Sequence, residues 1–218
     1  MRELRPGLWH WEAAHPEWTA DSDWPQVVSS YAIDDGERLL LFDPIAPPGE
    51  VEELSGTRQV VVVLTAPWHE RDTRSLVDRL GAPVYVPSPD TQQDLMEKFD
   101  VTAEQAEGGS PDVAWLLGGN FEAHTYLAGD RLPFGAQAFP GREHNDLVLW
   151  IESHRAVISG DTLVDFGQGF EIASWLRADV TRAQVAEGLR ALLRLPVEHV
   201  LATHGGPTDR AALEHALA

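Results

Sequence analysis

The chain has 218 residues, 43% hydrophobic and 23% charged, and its 35 acidic side chains against 16 basic ones give a net charge of −19. That length suits one domain, 1–218, with room for a layered core. The acidity removes the attraction on which non-specific nucleic-acid and anionic-membrane binding depend, and the lack of cysteine excludes disulfides, thiolate metal sites and cysteine nucleophiles.

Any metal must therefore be held by histidine and carboxylate. The N-terminal stretch has no long apolar core of the signal-peptide kind, and no apolar run approaches membrane-spanning length, so a cytoplasmic protein is expected.

In chain order, "GLWHWEA", "QVVSSYAI" and "RLLLFDP" predict strands, the last two joined by the turn "DDGE" into a hairpin over Gln26–Asp43. "QVVVVLT" is a continuous apolar run, as in a strand buried on both faces. "RDTRSLVDRL" follows as a helix with Leu76, Val77 and Leu80 on one face and Gly81 as its stop. "APVYVP" predicts another strand, and "SPDTQQDLMEKF" a helix with Ser88 as N-cap and Pro89 at its first position. Strands are expected in "DVAWLL", "FEAHTYLA", "AQAFPG", "DLVLWIE" and "RAVISGD". The end reads as helix "TRAQVAEGLRALLRL", strand "EHVLAT", loop "HGGPT" and helix "DRAALEHALA". Two β-rich stretches, each with its own βα unit, predict an α/β chain: two sheets face to face with helices outside, a four-layer αββα sandwich.

Polar residues crowd three strand ends, "TAPWHERD", "SGDTL" and "THGGP", where a sheet holds loops firmly while opening their side chains to a cleft. The order of elements, with "VVVLT" and its His-bearing loop, "FPGREHNDLVLW", "ISGDTL", "LATHGGP" and the early "FDP", resembles the metallo-β-lactamase superfamily across nearly the whole chain. The resemblance implies the αββα fold and a metal motif T-H-x-H-x-D-H.

This chain departs from that motif. With Thr65 on the motif's Thr, Ala66 and Trp68 stand at the first two His, Glu70 at the Asp and Arg71 at the last His, while His69 falls between ligand positions. The family's next ligand is the His of a P-G-H turn, and here "PGR" offers Arg142. Ala has no donor atom, the indole N–H only donates and a guanidinium stays protonated, so Ala66, Trp68, Arg71 and Arg142 cannot bind a cation. Of the implied ligands only Asp161 and His204 carry over, and a binuclear zinc centre is not expected.

Three readings of "TAPWHERD" stay open. In the first, the metal is lost. Arg71 and Arg142 pair with Asp161, Glu70 and Asp72, and a cleft lined by Trp68, Arg71, Arg142 and His144 takes a small, possibly anionic ligand or is purely structural. In the second, His69, Asp161 and His204 hold one Zn, Mn or Fe ion, with Asp72 or His144 assisting. Asp72 or Glu70 would then orient a metal-activated water to hydrolyse an ester, lactone, thioester or phosphoester. In the third, "HERDT" is a helix start capped by Asp72 or Thr73. The metal-depleted reading is preferred, with a small molecule as the expected partner; oligomeric state is not readable.

The N-terminal tryptophans Trp9, Trp11, Trp18 and Trp24, with His10 and His15, could wall a pocket, but core and edge packing is the preferred role. The loop "LVDFGQGFEIASW", 163–175, is expected to pack against a sheet rather than to act as a mobile cover. G-x-S-x-G is absent, which disfavours a serine hydrolase.

Overall fold

A computed structural model describes residues 1–56, 58–106, 115–116 and 118–218. The first sheet runs in the order β1 (Arg2–Arg5), β2 (Leu8–Ala14), β3 (Val27–Asp34), β4 (Arg38–Phe42), β5 (Gln59–Val63), β6 (Val84–Pro87), β7 (Ala123–Tyr126). Its first four strands are antiparallel neighbours, and β4 to β7 pair in parallel. The change of direction follows the connections: short turns join β1 to β2 and β3 to β4 and the loop 15–26 joins β2 to β3, whereas α1 (Glu50–Ser55) and α2 (Thr73–Leu80) carry the chain over the sheet. The predicted hairpin forms in register, Tyr31 opposite Phe42 and Asp34 opposite Leu39.

The second sheet is ordered β14 (Pro207–Asp209), β13 (His199–Leu201), β10 (Ala156–Ile158), β9 (Asp146–Ile151), β8 (Ala136–Glu143). A two-stranded ribbon, β11 (Leu163–Val164) with β12 (Glu171–Ile172), lies within the 163–175 segment.

Three apolar clusters define the layers. Leu40, Phe42, Val61 and Val63 of the first sheet meet Leu147, Leu149, Ile151 and Ile158 of the second in the inter-sheet core. Because successive strand residues point to opposite faces, Leu39, Leu41, Val60 and Val62 turn outward instead and pack under Val51 of α1 and Leu76 and Val77 of α2. On the far side, Val148, Trp150, Val157 and Val200 pack under α5 (Arg182–Leu189) and α6 (Arg210–Ala216). This is the four-layer αββα sandwich that the sequence predicts. Among the described residues no helix is long and apolar enough to cross a membrane.

Several details differ from expectation. Helix α3 (Gln92–Phe99) starts later than Ser88. Thr91 is its N-cap, in a reciprocal capping box with Asp94 whose two hydrogen bonds outweigh the Ser-Pro signal. Of the expected strand "DVAWLL", residues 112–114 and 117 lie outside the described residues, and Trp115 and Leu116 are helical. Helix α4 (Ala103–Ala106) is short, and the long C-terminal helix divides into α5 and a 3-10 stretch, Arg190–Arg194. Leu163 and Ile172 of the ribbon and Phe170 beside it are buried in the outer core of the second sheet, the packing expected of this segment, while Phe166 and Trp175 of the same segment stand beside His204.

Candidate functional site

Four strand ends converge, at the C-terminal edges of β4, β5, β10 and β13. After β5, Thr65 and Ala66 lead into a single 3-10 turn, Pro67–His69, with Pro67 setting its first backbone angle and turning His69 inward. Asp43 and Arg71 hold positive φ of 44° and 45°, the strained region for residues with a Cβ, and such strain concentrates at sites that the surroundings hold in place.

Asp161 is the hub. Its Oδ1 lies 3.0 Å from His69 Nε2 and 3.3 Å from His204 Nε2. Its Oδ2 accepts the Trp68 indole N–H at 2.8 Å and has Arg142 Nη2 at 3.6 Å. Behind His69, Asp43 Oδ2 lies 3.2 Å from Nδ1, and Thr65 Oγ1 is 3.0 Å from the same nitrogen. Asp43 is wholly buried and also accepts the Thr65 N–H at 2.8 Å and its hydroxyl at 2.6 Å. His69 is thus clasped between two carboxylates, one on each ring nitrogen.

Arg142 ties this hub to the second sheet. Its Nε is 2.9 Å from Asp146 Oδ2, and its Nη1 donates to the Trp175 carbonyl at 2.8 Å. The guanidinium stands 5.5 Å from the Trp68 ring centroid and 5.9 Å from that of Trp175, within cation–π range. Asp146 also accepts from the Asp161 N–H at 3.1 Å and the Thr162 hydroxyl at 3.0 Å. Two glycines permit this crowding: a Cβ at Gly141 would lie 1.9 Å from the Asp146 carbonyl oxygen, and one at Gly160, where φ is +56°, 2.6 Å from Asp146 Oδ1.

The electrostatics follow from burial and pairing. Burial pushes the His69 imidazolium down, but Asp161 and Asp43 outweigh it and raise its pKa to about 9, so the ring is a cation at neutral pH. Burial pushes Asp161 up, but His69 and His204 hold it well below the usual carboxylate range. Asp146 is pushed up to about 7, by burial first and by Asp161 beside it, against the pull of Arg142.

The predicted site residues separate into two groups. His69, Trp68, Asp161, His204 and Arg142 come together as described. Arg71 reaches the same cavity, but its Nη1 donates to main-chain oxygens, Asp43 O at 2.8 Å and Ser29 O at 3.5 Å, rather than pairing with the carboxylates. Glu70 pairs with Arg74 at 3.0 Å along the start of α2, and the Asp72 carboxylate accepts the Ala46 N–H, so neither is in the Asp161 cluster. Asp72 occupies the N-cap position of α2 without a side-chain capping bond. His144 is 42% exposed and faces Asp90 at 3.6 Å, away from Asp161.

Sequence reasoning missed Asp146 as a site residue, since "HND" carries no recognisable signal, and it treated Asp43 only as a strand end. It also set Trp24 and Trp175 apart from the site. Both line a cavity of about 390 Å³ over His69, Asp161 and His204. Trp24, Phe166 and Trp175 surround the His204 ring with centroid distances of 5.1, 5.9 and 5.7 Å.

The donor set fits the metals that the sequence resemblance implies only in part. Ala66, Trp68, Arg71 and Arg142 offer no lone pair, so the side chains do not fit a two-metal centre. His69, Asp161 and His204 each bring one ligand atom within 4.8 Å of the others, which suits one ion by donor type. Asp43 behind His69 resembles the carboxylates that orient metal-bound imidazoles. Against this, Asp161 already takes a neutral N–H and a guanidinium on Oδ2, while His204 Nδ1 is buried without a hydrogen-bond partner.

No protein-family model and no curated protein matches the chain. Solved structures do. An archaeal metallo-beta-lactamase superfamily protein from Sulfolobus tokodaii aligns over 97% of this chain and 84% of its own, with TM-score 0.64 and 16% identity. A metallo-beta-lactamase from Pontibacter korlensis aligns over 99% and 95%, with TM-score 0.62 and 18% identity. The protein TTHA1623, in a di-iron-bound form, aligns over 87% and 93%, with TM-score 0.56 and 24% identity. Layer order, sheet topology and these full-length alignments together identify the fold as that of the metallo-β-lactamase superfamily.

Proposed function

We propose that this protein is a small-molecule-binding member of the metallo-β-lactamase fold, in which protein donors do the structural work of the metal. The observation that carries the reading is the saturation of Asp161. His69, Trp68 and Arg142 direct N–H groups at its two oxygens, and His204 Nε2 closes on Oδ1. A buried carboxylate must be neutralised, and here a histidinium and a guanidinium supply the charge that a cation supplies elsewhere. The cavity above remains open to a ligand.

The test is thermal melting with and without a strong chelator, beside a panel of ester, lactone, thioester and phosphoester substrates with added Zn, Mn or Fe. The reading predicts an unchanged melting temperature and no turnover. Metal-dependent turnover that disappears in His204→Ala would overturn it.

A second reading is favoured by one observation, the approach of His69, Asp161 and His204 donor atoms within reach of one ion. In that reading the three residues hold a single Zn, Mn or Fe ion, which when bound would supply an activated water for hydrolysis. Displacement of the Trp68 N–H from Asp161 on metal addition, followed by indole 15N NMR, separates the two.

A further inference from the structure

The cavity over Asp161 has walls and a charge pattern that specify a class of ligand, and this inference rests on the small-molecule reading above. Three indoles line it, those of Trp24, Trp68 and Trp175. Two are pinned by their N–H groups: Trp68 donates to Asp161 Oδ2 and Trp175 to Asp23 Oδ2, each at 2.8 Å. Pinned rings lose little freedom when a flat molecule lies against them, which is what makes aromatic walls effective in recognition.

Of the polar groups around the indoles, Glu17, Asp23 and Asp161 are acceptors and His69 and Arg71 are donors, while burial first and Arg71 second lower the His15 pKa to about 4, so that ring adds no charge at neutral pH. Glu17 and Asp23 are exposed at the rim, and neither makes an ion pair among the described residues. Asp161 on the floor is balanced by His69. The remaining cation of the lining, Arg71, spends its Nη1 on two main-chain carbonyls. Arg142 does not line this cavity; it opens into the neighbouring one on the Lys98 side. Over the whole chain the net charge of −19 draws cations toward an acidic rim.

We infer that this cavity takes a small organic cation with a planar ring, its ring held against the indoles and its nitrogen N–H groups directed to Glu17 and Asp23. Indole faces and carboxylates together select such a molecule over a neutral one, and the rim carboxylates repel a carboxylate of the same shape. The expected preference is therefore for a cation, not for the anion that Arg71 and Arg142 suggest when read from the sequence.

The experiment is a tryptophan-fluorescence titration of the full chain with benzamidine and, separately, with benzoate, two rings of similar size and opposite charge. Wild type is compared with Trp24→Leu and with the double variant Glu17→Gln, Asp23→Asn, which removes both rim charges while the amide oxygen introduced at position 23 can still accept the Trp175 N–H. The inference predicts saturable benzamidine binding, weakened about tenfold or more in each variant, and no saturable benzoate binding. Benzoate binding as tightly as benzamidine would overturn the cation preference while leaving a small-molecule site in place. Absence of benzamidine binding, or binding indifferent to the variants, would also overturn it. Failure of the metal-free reading shows separately, as bound metal in the untreated protein.

Discussion

The Trp68 indole N–H donates to Asp161 Oδ2 at 2.8 Å, so the residue that the sequence resemblance sets against a family histidine is a hydrogen-bond donor to the buried carboxylate at the centre of the cluster. Indole nitrogen has no lone pair available to a cation. Trp68→Phe keeps the ring but removes the donor, and should cost about 1–2 kcal/mol in urea unfolding, the range for a hydrogen bond to a charged acceptor discounted for the partial exposure of Trp68. An unchanged midpoint would mean that this bond does not help to hold Asp161.

Arg142 carries more. It is 10% exposed at its side chain and pairs with Asp146 at 2.9 Å and with Asp161 at 3.6 Å. Arg142→Met keeps the stem and leaves two buried carboxylates without their guanidinium, which should destabilise by about 3–5 kcal/mol. Chemical denaturation measures this directly. A loss below about 1 kcal/mol, the scale of a surface pair, would show that the pair is solvated.

The histidinium predicts a pH dependence with a definite sign. His69 has a folded pKa of about 9, above the value of 6.5 for the unexposed-to-charge side chain. Between these values the folded state binds more protons than the unfolded state, so stability falls as pH rises. The contribution is complete below pH 6.5 and lost through about pH 9, on the order of 3 kcal/mol in all. Denaturation midpoints from pH 7 to 10 should therefore decline in wild type and flatten in His69→Gln. Asp146, pushed up to about 7, titrates through the lower end of this range with the same sign, so the comparison with His69→Gln is read above about pH 8. A wild-type midpoint that rises over this range would contradict the assignment of charge to His69.

Gly160 is a backbone requirement. Its φ of +56° and a Cβ position only 2.6 Å from Asp146 Oδ1 mean that Gly160→Ala strains the turn and displaces the carboxylate that holds Arg142. A loss of about 2 kcal/mol or more is expected in thermal or urea unfolding. Gly167→Ala is the control: its φ is also positive, but no atom lies within 4 Å of the added Cβ, so it should lose less.

The layers of the fold were legible because they follow from local pattern. A continuous apolar run reads as the buried β5, Gly81 in the left-handed region ends α2, and "DDGE" closes the β3–β4 hairpin. The start of α3 was also encoded, as Thr91 and Asp94 three residues apart, but the Ser-Pro signal upstream is the more familiar one. Helix α1 and the edge strands β1 and β14 have too few apolar residues to stand out. At the site, His69, Asp161 and His204 were found because histidine and aspartate at strand ends are conspicuous. Asp146, Trp24 and Trp175 were not, because they join the site only through pairings across more than a dozen residues, which no spacing rule records.

The central claim is that protein donors, not a metal ion, neutralise Asp161. Its most direct test is elemental mass spectrometry of the untagged protein, grown with supplemented zinc, manganese and iron, for wild type and His69→Ala in parallel. The account predicts folded wild type with far less than one ion per chain, and no difference in metal content between the two proteins. Near-stoichiometric metal in wild type that is lost in His69→Ala would contradict it.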